Sequence, residues 1–419
     1  MSKLSTFNAF KSRNYRLYFA GQSVSLLGTW MQKTAVSWVI YSQTHSKFML
    51  GLTLFASLFP SFLFSFLGGV VSDRYNRFKV LLFTQVASMV QAILLTVLVF
   101  FGYYSVWAIM ALTAVLGLIN AFDVPARQSL VYEMVDDKSD LPNALALNSS
   151  MVNLSRLIGP GIAGLIIEKF GDSVCFGANA LSFIPVIGSL LMMRLPEFMP
   201  KPHGKNVFAD LKDGFEYIRN TPTIMFMLLM LASISLFVLP FSTLIPVYAK
   251  DIFKGTASTF GVIDSVIGLG AFSGGIFLAS LSAGTDLKKI LAVNTVIFAV
   301  GLIAFSHMHN YPVALFFSAI IGFGMMSQIT IGNTIIQTTA SPEMRGRVIS
   351  FYAMSFFGMQ PLGGLLIGAV SQKIGVPDTV MAEGMIALLL GVLHFAFLRR
   401  SRLKKKTMEA MQQPAEAIS

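Results

Sequence analysis

Long runs of apolar residues recur along this chain, and they constrain its fold more than any other feature. A helix that crosses the hydrocarbon core of a bilayer, roughly 30 Å thick, needs about 20 apolar residues in succession. We find twelve such runs in the 419 residues. Their approximate bounds are 16–43, 48–71, 79–101, 105–125, 144–168, 174–193, 222–248, 257–281, 288–306, 312–334, 347–370 and 380–398. The pattern predicts an all-α membrane protein with twelve transmembrane helices.

The composition excludes several other classes of protein. Only 12% of the residues are charged, against about 25% in a soluble domain, so too few polar residues are present to cover soluble domains. The single cysteine, Cys175, excludes an internal disulfide framework and a cysteine-based zinc cluster. The sequence contains no Walker-type phosphate loop, no catalytic triad pattern and no metal-ligand cluster. We therefore expect neither an enzyme nor an ATP-driven pump, and we expect no cofactor and no metal.

Basic residues are distributed unevenly between the two sides of the predicted membrane. If the N-terminus is cytoplasmic, 24 of the 31 Lys and Arg residues lie in cytoplasmic segments, five lie on the opposite side, and Lys33 and Arg156 lie within spans. Cytoplasmic loops carry an excess of Lys and Arg, so this distribution predicts that both termini are cytoplasmic. The same distribution accounts for the net charge of +11 without a nucleic-acid partner.

The two halves of the chain resemble each other at an offset of about 205 residues. GPGIAGLIIEKFG at 159–171 resembles QPLGGLLIGAVSQKIG at 360–375, and the paired glycines at 68–69 match those at 274–275. The longest polar interruption falls between the halves and contains a stretch with helical apolar spacing. We predict an N-terminal six-helix bundle at 1–193, a cytoplasmic linker with an amphipathic helix at 194–221, a C-terminal six-helix bundle at 222–398 and a cytoplasmic tail at 399–419.

The loop between the second and third predicted spans reads GGVVSDRYNRFK, residues 68–79. It resembles the cytoplasmic loop motif of the major facilitator superfamily, whose members are transporters. The resemblance implies that Gly69 permits close helix approach, that Asp73 caps a neighbouring helix N-terminus, where the helix dipole favours an anion, and that Arg74 and Arg77 reach carboxylates. Asn76 stands where the family has glycine, and asparagine tolerates a positive φ. The alternative is that these charges only set the topology.

The fifth span contains NLSRLIGPGIAGLII, residues 153–167. Gly159, Pro160 and Gly164 resemble the glycine–proline motif of antiporters in the same superfamily. Small residues let helices pack closely, and proline permits a bend. Ordinary close packing is the alternative interpretation.

A finer resemblance covers RNYRLYFAGQSVSLLGTWMQ at 13–32, AFDVPARQ at 121–128, LPNALALNSSMVNLSRLIGP at 141–160 and MRGRV at 344–348. These segments are similar to the exporter branch of the superfamily, which includes enterobactin exporters and macrolide efflux pumps. The resemblance implies efflux of a siderophore or an amphipathic drug-like molecule across a bacterial inner membrane.

Two charged residues lie deep within predicted spans. A charge at the bilayer centre costs at least about 2.5–3.5 kcal/mol, so it indicates a function. Arg156 in the fifth span lies about 18 Å from the outer end of its helix, and Asp264 in the eighth lies about 10 Å from its own, at 1.5 Å per residue. In the superfamily arrangement these spans face each other across the two halves. We predict an inter-half pair that a proton can break; a static pair, or pairing of Arg156 with Asp123, is the alternative.

Other polar residues are candidates for a gate or for a central cavity. Asp123, Arg127 and Glu133 flank the cytoplasmic end of the fourth span, and Arg345 and Arg347 occupy the comparable loop of the second half. We predict gate ion pairs there, with generic loop charge as the alternative. The predicted cavity-lining residues are Gln22, Gln32, Lys33, Asn153 and Gln328. Hydrogen bonds between helices are the alternative role for the amides, and an interfacial position is the alternative for Lys33.

Together these features predict a proton-coupled secondary transporter whose halves alternate access to a central site. Its expected partners are a small-molecule substrate, protons and membrane lipids, and we expect a monomer. An uptake or lipid-handling transporter of the same superfamily is one alternative. A non-transporting membrane sensor is the other, although such a protein usually carries an added soluble domain.

Overall fold

The computed structural model describes residues 5–195, 207–282 and 284–416, which form helices and no β-strand. Six long helices make up the first half of the chain. They are α1 (Arg13–Thr44), α2 (Lys47–Arg74), α3 (Arg77–Phe100), α4 (Val106–Met134), α5 (Leu141–Phe170) and α6 (Asp172–Leu191). Short 3₁₀ turns precede α1 (Ser5–Lys11) and α5 (Lys138–Asp140).

The second half repeats this plan with two interrupted spans. Its helices are α7 (Val207–Asn220), α8 (Pro222–Phe237), α9 (Ile245–Val247), α10 (Ala257–Ala279), α11 (Leu287–Ser306), α12 (Tyr311–Thr339), α13 (Arg345–Ala353), α14 (Met359–Ile374) and α15 (Val376–Glu416). The seventh span joins α8 to α9 through a 3₁₀ segment (Leu239–Leu244) and ends in a π turn (Tyr248–Ile252). The eleventh span joins α13 to α14 through a second π turn (Met354–Gly358).

Eleven helical segments of the described chain are long and apolar enough to cross a membrane. The twelfth span is α1, whose polar residues, Gln22, Gln32 and Lys33 among them, make it less apolar than the others. It is nevertheless 32 residues long and packs along α5 and α6 inside the bundle. The predicted fold class, an all-α membrane protein with twelve transmembrane helices, is confirmed.

Side chains in the loops start several of these helices. Ser46 and Ser105 accept hydrogen bonds from backbone N–H groups in the first turns of α2 and α4, as N-cap residues do. Asn76 does the same for α3, accepting from the N–H groups of Phe78 and Lys79 at 3.0 and 3.3 Å. Its φ is −60°, so the positive φ expected from the family's glycine is wrong. In this loop Asn76 acts through its side chain, which caps the start of α3, and not through tolerance of a positive φ.

Glycines at equivalent positions of the two halves bring equivalent helices into contact. A Cβ on Gly117 of α4 would lie 2.5 Å from the carbonyl oxygen of Ser57, and one on Gly322 of α12 would lie 1.9 Å from that of Ile267. The turns after α5 and α14 also match, because Gly171 and Gly375 have φ values of 89° and 90°, which non-glycine residues rarely adopt. The internal repeat is therefore visible in the packing as well as in the sequence.

The first helix of the second half, α7, lies within residues 194–221, where the sequence predicts an amphipathic linker helix. This helix, α7, packs on α13, where a Cβ on Gly214 would lie 3.1 Å from the Cβ of Arg347. The Tyr217 hydroxyl accepts a hydrogen bond from the Ser341 N–H at 3.0 Å. Residues 196–206 of the predicted linker lie outside the described residues. So does the side chain of Phe208, an apolar residue of α7. At the other end, α15 continues past the predicted limit of the twelfth span to Glu416.

Candidate functional site

The two halves meet along two pairs of helices, α5 with α10 and α2 with α14. We call the side of the bundle where α1 begins and α15 ends the terminal side, and the other the opposite side. Toward the opposite side, a Cβ on Gly164 would lie 2.6 Å from the carbonyl oxygen of Ala257, and one on Gly368 would lie 2.9 Å from that of Lys47. The backbones of the two halves are therefore in contact in this region.

The three residues of the antiporter-like motif all lie in this packing. Gly159 faces α1, where its Cβ would lie 2.7 Å from the Cβ of Trp30. The Pro160 carbonyl faces Gly261 of α10, and Gly164 faces Ala257. The next residue, Gly161, donates its N–H to the Ser265 hydroxyl at 2.9 Å. The motif thus lets α5 contact a helix of its own half and a helix of the other half at once.

Polar contacts also close the opposite side. The Tyr41 hydroxyl of α1 donates a hydrogen bond to the carboxylate of Asp251, in the π turn that ends the seventh span. The Thr256 hydroxyl donates to Glu168 at 2.9 Å. The Lys47 N–H donates to the Gln372 side chain at 3.2 Å. Each of these hydrogen bonds joins the first half to the second.

The terminal side is arranged differently. The start of the eleventh span, α13, packs mainly on α7, α8, α12 and the following π turn, all in the second half. Ser149 and Ser150 of α5 and Thr334 and Thr338 of α12 are exposed although they lie within spans. Lys33 is also exposed, and a lysine facing lipid at that depth is costly. Because polar side chains facing lipid are costly, we interpret these exposures as the lining of a cavity that opens toward the terminal side.

Three charged side chains converge near the head of this cavity, where α1, α5 and α10 meet. Lys33, Arg156 and Asp264 are close enough to interact electrostatically with one another. Trp30 lies against both cations: Lys33 Nζ is 4.8 Å from the centre of its ring and Arg156 Cζ is 5.7 Å from it. Arg156 Nη2 also lies 3.6 Å from Met325 Sδ of α12. We call Lys33, Arg156 and Asp264 the charged cluster.

The predicted pair of Arg156 with Asp264 is brought together only loosely. The backbone carbonyl of Arg156 lies beside Gly268, which is one helical turn, about 6 Å, from Asp264 along α10. Among the described residues the two side chains form no direct ion pair. The alternative partner for Arg156 is not adopted either, because Asp123 binds Arg127 at 3.0 Å. Two features were not predicted from the sequence: Lys33 as a third member, and Trp30 as the ring that both cations approach.

Several of the predicted gate residues form ion pairs, and each of these pairs lies within one half. Asp123 is 3% exposed; besides Arg127 it accepts hydrogen bonds from Thr84 and Gln85 at 2.9 and 2.6 Å. Arg77 binds Glu133 and lies 3.9 Å from Asp73.

In the second half, Arg347 pairs with Asp213 of α7 at 3.1 Å. Arg74 and Arg345 are exposed. The observed pairs therefore stabilise individual halves and do not join the two halves at the terminal side.

The glycine expected to permit close packing in the loop motif is the wrong one of the pair. A Cβ on Gly69 would meet nothing within 4 Å, whereas one on Gly68 would lie 1.8 Å from the carbonyl oxygen of Ala121. Consecutive helical residues point about 100° apart, since a helix has 3.6 residues per turn. Only one of two neighbouring glycines can therefore face α4, and in this structure it is Gly68.

Three of the predicted cavity residues lie inside their own half. Gln22 and Gln32 are each 2% exposed and Gln328 is 4% exposed. Gln32 joins α1 to α3 and α6 through hydrogen bonds with Gln91 at 3.0 Å and Asn179 at 2.7 Å. Gln328 donates to Thr295 at 2.9 Å, so interhelical hydrogen bonding is the observed role of both amides.

The other two predicted cavity residues are accessible. Lys33 is exposed and Asn153 is half-buried, with its amide donating to the Ser149 carbonyl at 3.0 Å. Glu383 was not predicted as a site residue; it is 1% exposed, and its carboxylate oxygens have no hydrogen-bond partner among the described residues.

Comparison with known proteins gives consistent relatives. The sequence profile of a family described as transmembrane secretion effector, a branch of the major facilitator superfamily, matches residues 4–418. The staphyloferrin A transporter of Staphylococcus aureus is 24% identical over 93% of this chain and 97% of that protein. Macrolide efflux protein A of Streptococcus pyogenes is 23% identical over 92% and 96%. The enterobactin exporter EntS of Shigella flexneri is 26% identical over 94% and 93%.

Solved structures with the same fold are more distant in sequence. A peptide transporter of the POT family, PepTSo, superposes with a TM-score of 0.73 at 13% identity, covering 94% of this chain and 99% of that one. A bacterial homologue of the human lysosomal transporter Spinster, in an inward-facing and unoccupied conformation, gives 0.69 at 14% identity, covering 91% and 96%. These likenesses establish the transporter fold.

Proposed function

This chain belongs to the transmembrane secretion effector family of the major facilitator superfamily, and we propose that it exports a siderophore or an amphipathic drug-like molecule in exchange for protons. It is a multi-pass membrane transporter, not an enzyme. Relatives named for the export or efflux of small molecules, aligned over nearly their whole length, support the direction of transport. The observation that carries the proposal is the charged cluster, which places ionisable groups of both halves together at the head of a cavity.

The orientation follows from the basic residues. Because most Lys and Arg residues lie at the terminal side, that side is proposed to face the cytoplasm of a bacterial inner membrane. The cavity would then open to the cytoplasm, as an exporter requires for loading. The protein would act as a monomer in contact with membrane lipids, without a cofactor.

Alternating access requires that the contacts at the opposite side break while new contacts form at the terminal side. The hydrogen bond from Tyr41 to Asp251 is a candidate for breaking. Asp73 is about half exposed and, with Arg74, is available to meet the start of α13 near Arg345 when the halves close. The internal pairs of Arg77 and Arg347 would hold their loops in shape during that movement.

Proton coupling is assigned to the charged cluster because its members belong to different halves. Asp264 belongs to the second half, and Arg156 and Lys33 belong to the first. Their attraction across the interface favours the arrangement closed at the opposite side. A proton on Asp264 removes that attraction, and the two neighbouring cations favour release of the proton again when the halves return.

The test is transport by the full chain in inside-out and right-side-out vesicles, with a macrolide and a catecholate siderophore as probes. Asp264→Asn should abolish accumulation driven by a proton gradient while leaving downhill exchange of the probe intact. Asp378→Asn is the matched control, because Asp378 lies exposed at the opposite surface beside His307. Full proton-driven accumulation by Asp264→Asn would exclude this coupling residue, and counterflow only in right-side-out vesicles would favour the uptake alternative.

A further inference from the structure

The geometry points to an anion-binding site between Lys33 and Arg156, which takes a carboxylate or comparable acidic group on an amphipathic substrate. This inference rests on the proposed transport function and names the chemical class of the substrate. It deepens the role of the charged cluster from a proton site to a site of substrate recognition.

The positive and negative charges of the charged cluster are unequal in number. The cluster contains two cations and one carboxylate, and among the described residues none of the three side chains forms an ion pair with a further charged group. Asp264 can neutralise only one of the two cations, so the cluster has a net charge of +1. An uncompensated charge within a membrane-spanning bundle is costly, and that cost grows when the cavity closes and loses water. A bound anion supplies the missing charge.

Arg156 and Lys33 have more hydrogen-bond donors than the acceptors around them can satisfy. A guanidinium has five N–H donors and an ammonium has three. In the described part of the chain, the one acceptor bonded to Arg156 is the thioether of Met325 at 3.6 Å, which is a weak acceptor. Lys33 Nζ faces the Trp30 ring and has no oxygen acceptor among these residues. A carboxylate between the two cations would satisfy donors that the protein itself leaves open.

The side chains around the two cations are aromatic and apolar. Trp30 contacts both cations and is itself half-buried, and Met325 borders the site from α12. An indole ring and a thioether suit a flat or apolar group attached to the acid. Lys33 is exposed, so a ligand that entered the proposed cavity from the terminal side would meet its side chain. The site therefore fits an amphipathic acid better than a small inorganic anion.

Three probes with one aromatic body separate the effect of charge from that of shape: 1-naphthylacetate, 1-naphthylacetamide and 1-naphthylmethylammonium. Their dissociation constants are measured by isothermal titration calorimetry on the full chain in lipid nanodiscs, at fixed salt. We expect the acetate to bind about tenfold more tightly than the acetamide, as one charge-assisted contact provides. The ammonium should bind more weakly than either.

Lys33→Gln should remove most of the preference for the acetate while leaving the affinity for the acetamide unchanged. Lys33→Arg keeps the charge and should keep the preference. Lys138→Gln is the matched control, because Lys138 also lies over an aromatic ring, Tyr132, at 4.3 Å but belongs to the turn between α4 and α5. Burial of Cys175, tested with a thiol reagent, reports whether each variant is folded.

Equal binding of acetate and acetamide by the unmodified protein would overturn the inference, and so would an unchanged preference in folded Lys33→Gln. The measurement uses no gradient, so it is independent of the coupling test. Proton-driven export without any preference for the acetate would refute only the anion site. A clear preference in a protein without proton-driven transport would refute only the coupling.

Discussion

The clearest quantitative test compares alanine at two neighbouring glycines, Gly68 and Gly69. Both lie in α2, so replacement by alanine raises helix propensity equally, by about 1 kcal/mol. Their surroundings differ completely. At Gly68 the new Cβ would lie 1.8 Å from the Ala121 carbonyl oxygen, and at Gly69 it would meet open space. The difference between the two variants therefore isolates the contact between α2 and α4.

The size of the effect follows from the distance that the helices must move. Real Cβ atoms essentially never come within 3.0 Å of such a neighbour, so α2 and α4 must separate by more than about 1 Å at this crossing. The neighbour is backbone and cannot rotate away. Overpacking of this kind costs typically about 1–3 kcal/mol. We expect the unfolding midpoint of Gly68→Ala to lie roughly 1–4 °C below that of Gly69→Ala.

The chain carries its own reporter for this assay. Cys175 is the single cysteine and is 0% exposed in α6, so a fluorogenic maleimide reacts with it only after the bundle opens. Heating each purified variant in one detergent, with the dye present, gives the midpoint directly. Equal midpoints for the two variants would refute the packing argument, as would a lower midpoint for Gly69→Ala.

Two further variants test the contacts at the opposite side and within the first half. Tyr41→Phe removes the hydroxyl that binds Asp251, and a cysteine placed in the opposite-side turn after α1 should then be labelled more by an impermeant thiol reagent. Tyr104→Phe is the control, because its hydroxyl bonds within its own half at 3.4 Å, and it should not increase this labelling. Equal labelling of both variants would contradict the assigned closure. Asp123→Asn leaves Arg127, whose side chain is 20% exposed, without its counter-charge and should lower the free energy of unfolding by about 2–4 kcal/mol. Asp73→Asn, at an exposed position, should change it by less than about 0.5 kcal/mol, and similar losses in both would show that burial does not set the cost.

The fold was predictable because the signal is long and redundant. A run of about 20 apolar residues leaves a helix across the membrane as the main solution, and the repeat appears in several independent segments. The exception, α1, shows the limit of that signal. Its buried Gln32 is satisfied by neighbouring helices that hydropathy cannot identify, so α1 is the span that apolar character alone undervalues.

The candidate site was predictable only in part. Arg156 and Asp264 were identifiable because a charge inside an apolar run is costly enough to imply a role. The role of a buried amide could not be predicted in this way. An amide that bonds to a neighbouring helix, as Gln32 does, and an amide that lines a cavity look the same in the sequence. Which face of a helix a residue occupies depends on tertiary packing, and the choice between Gly68 and Gly69 was wrong for that reason.

The polar character of α1 has a consequence for how the protein is made. Its Gln32 finds partners on α3 and α6, and those helices are synthesised after it. While the chain is still emerging, α1 therefore lacks the groups that satisfy its amide in the bilayer. The hydrogen bonds of this amide are then complete only when the sixth helix has assembled, so the polar contacts of α1 form during folding of this half and not during its insertion.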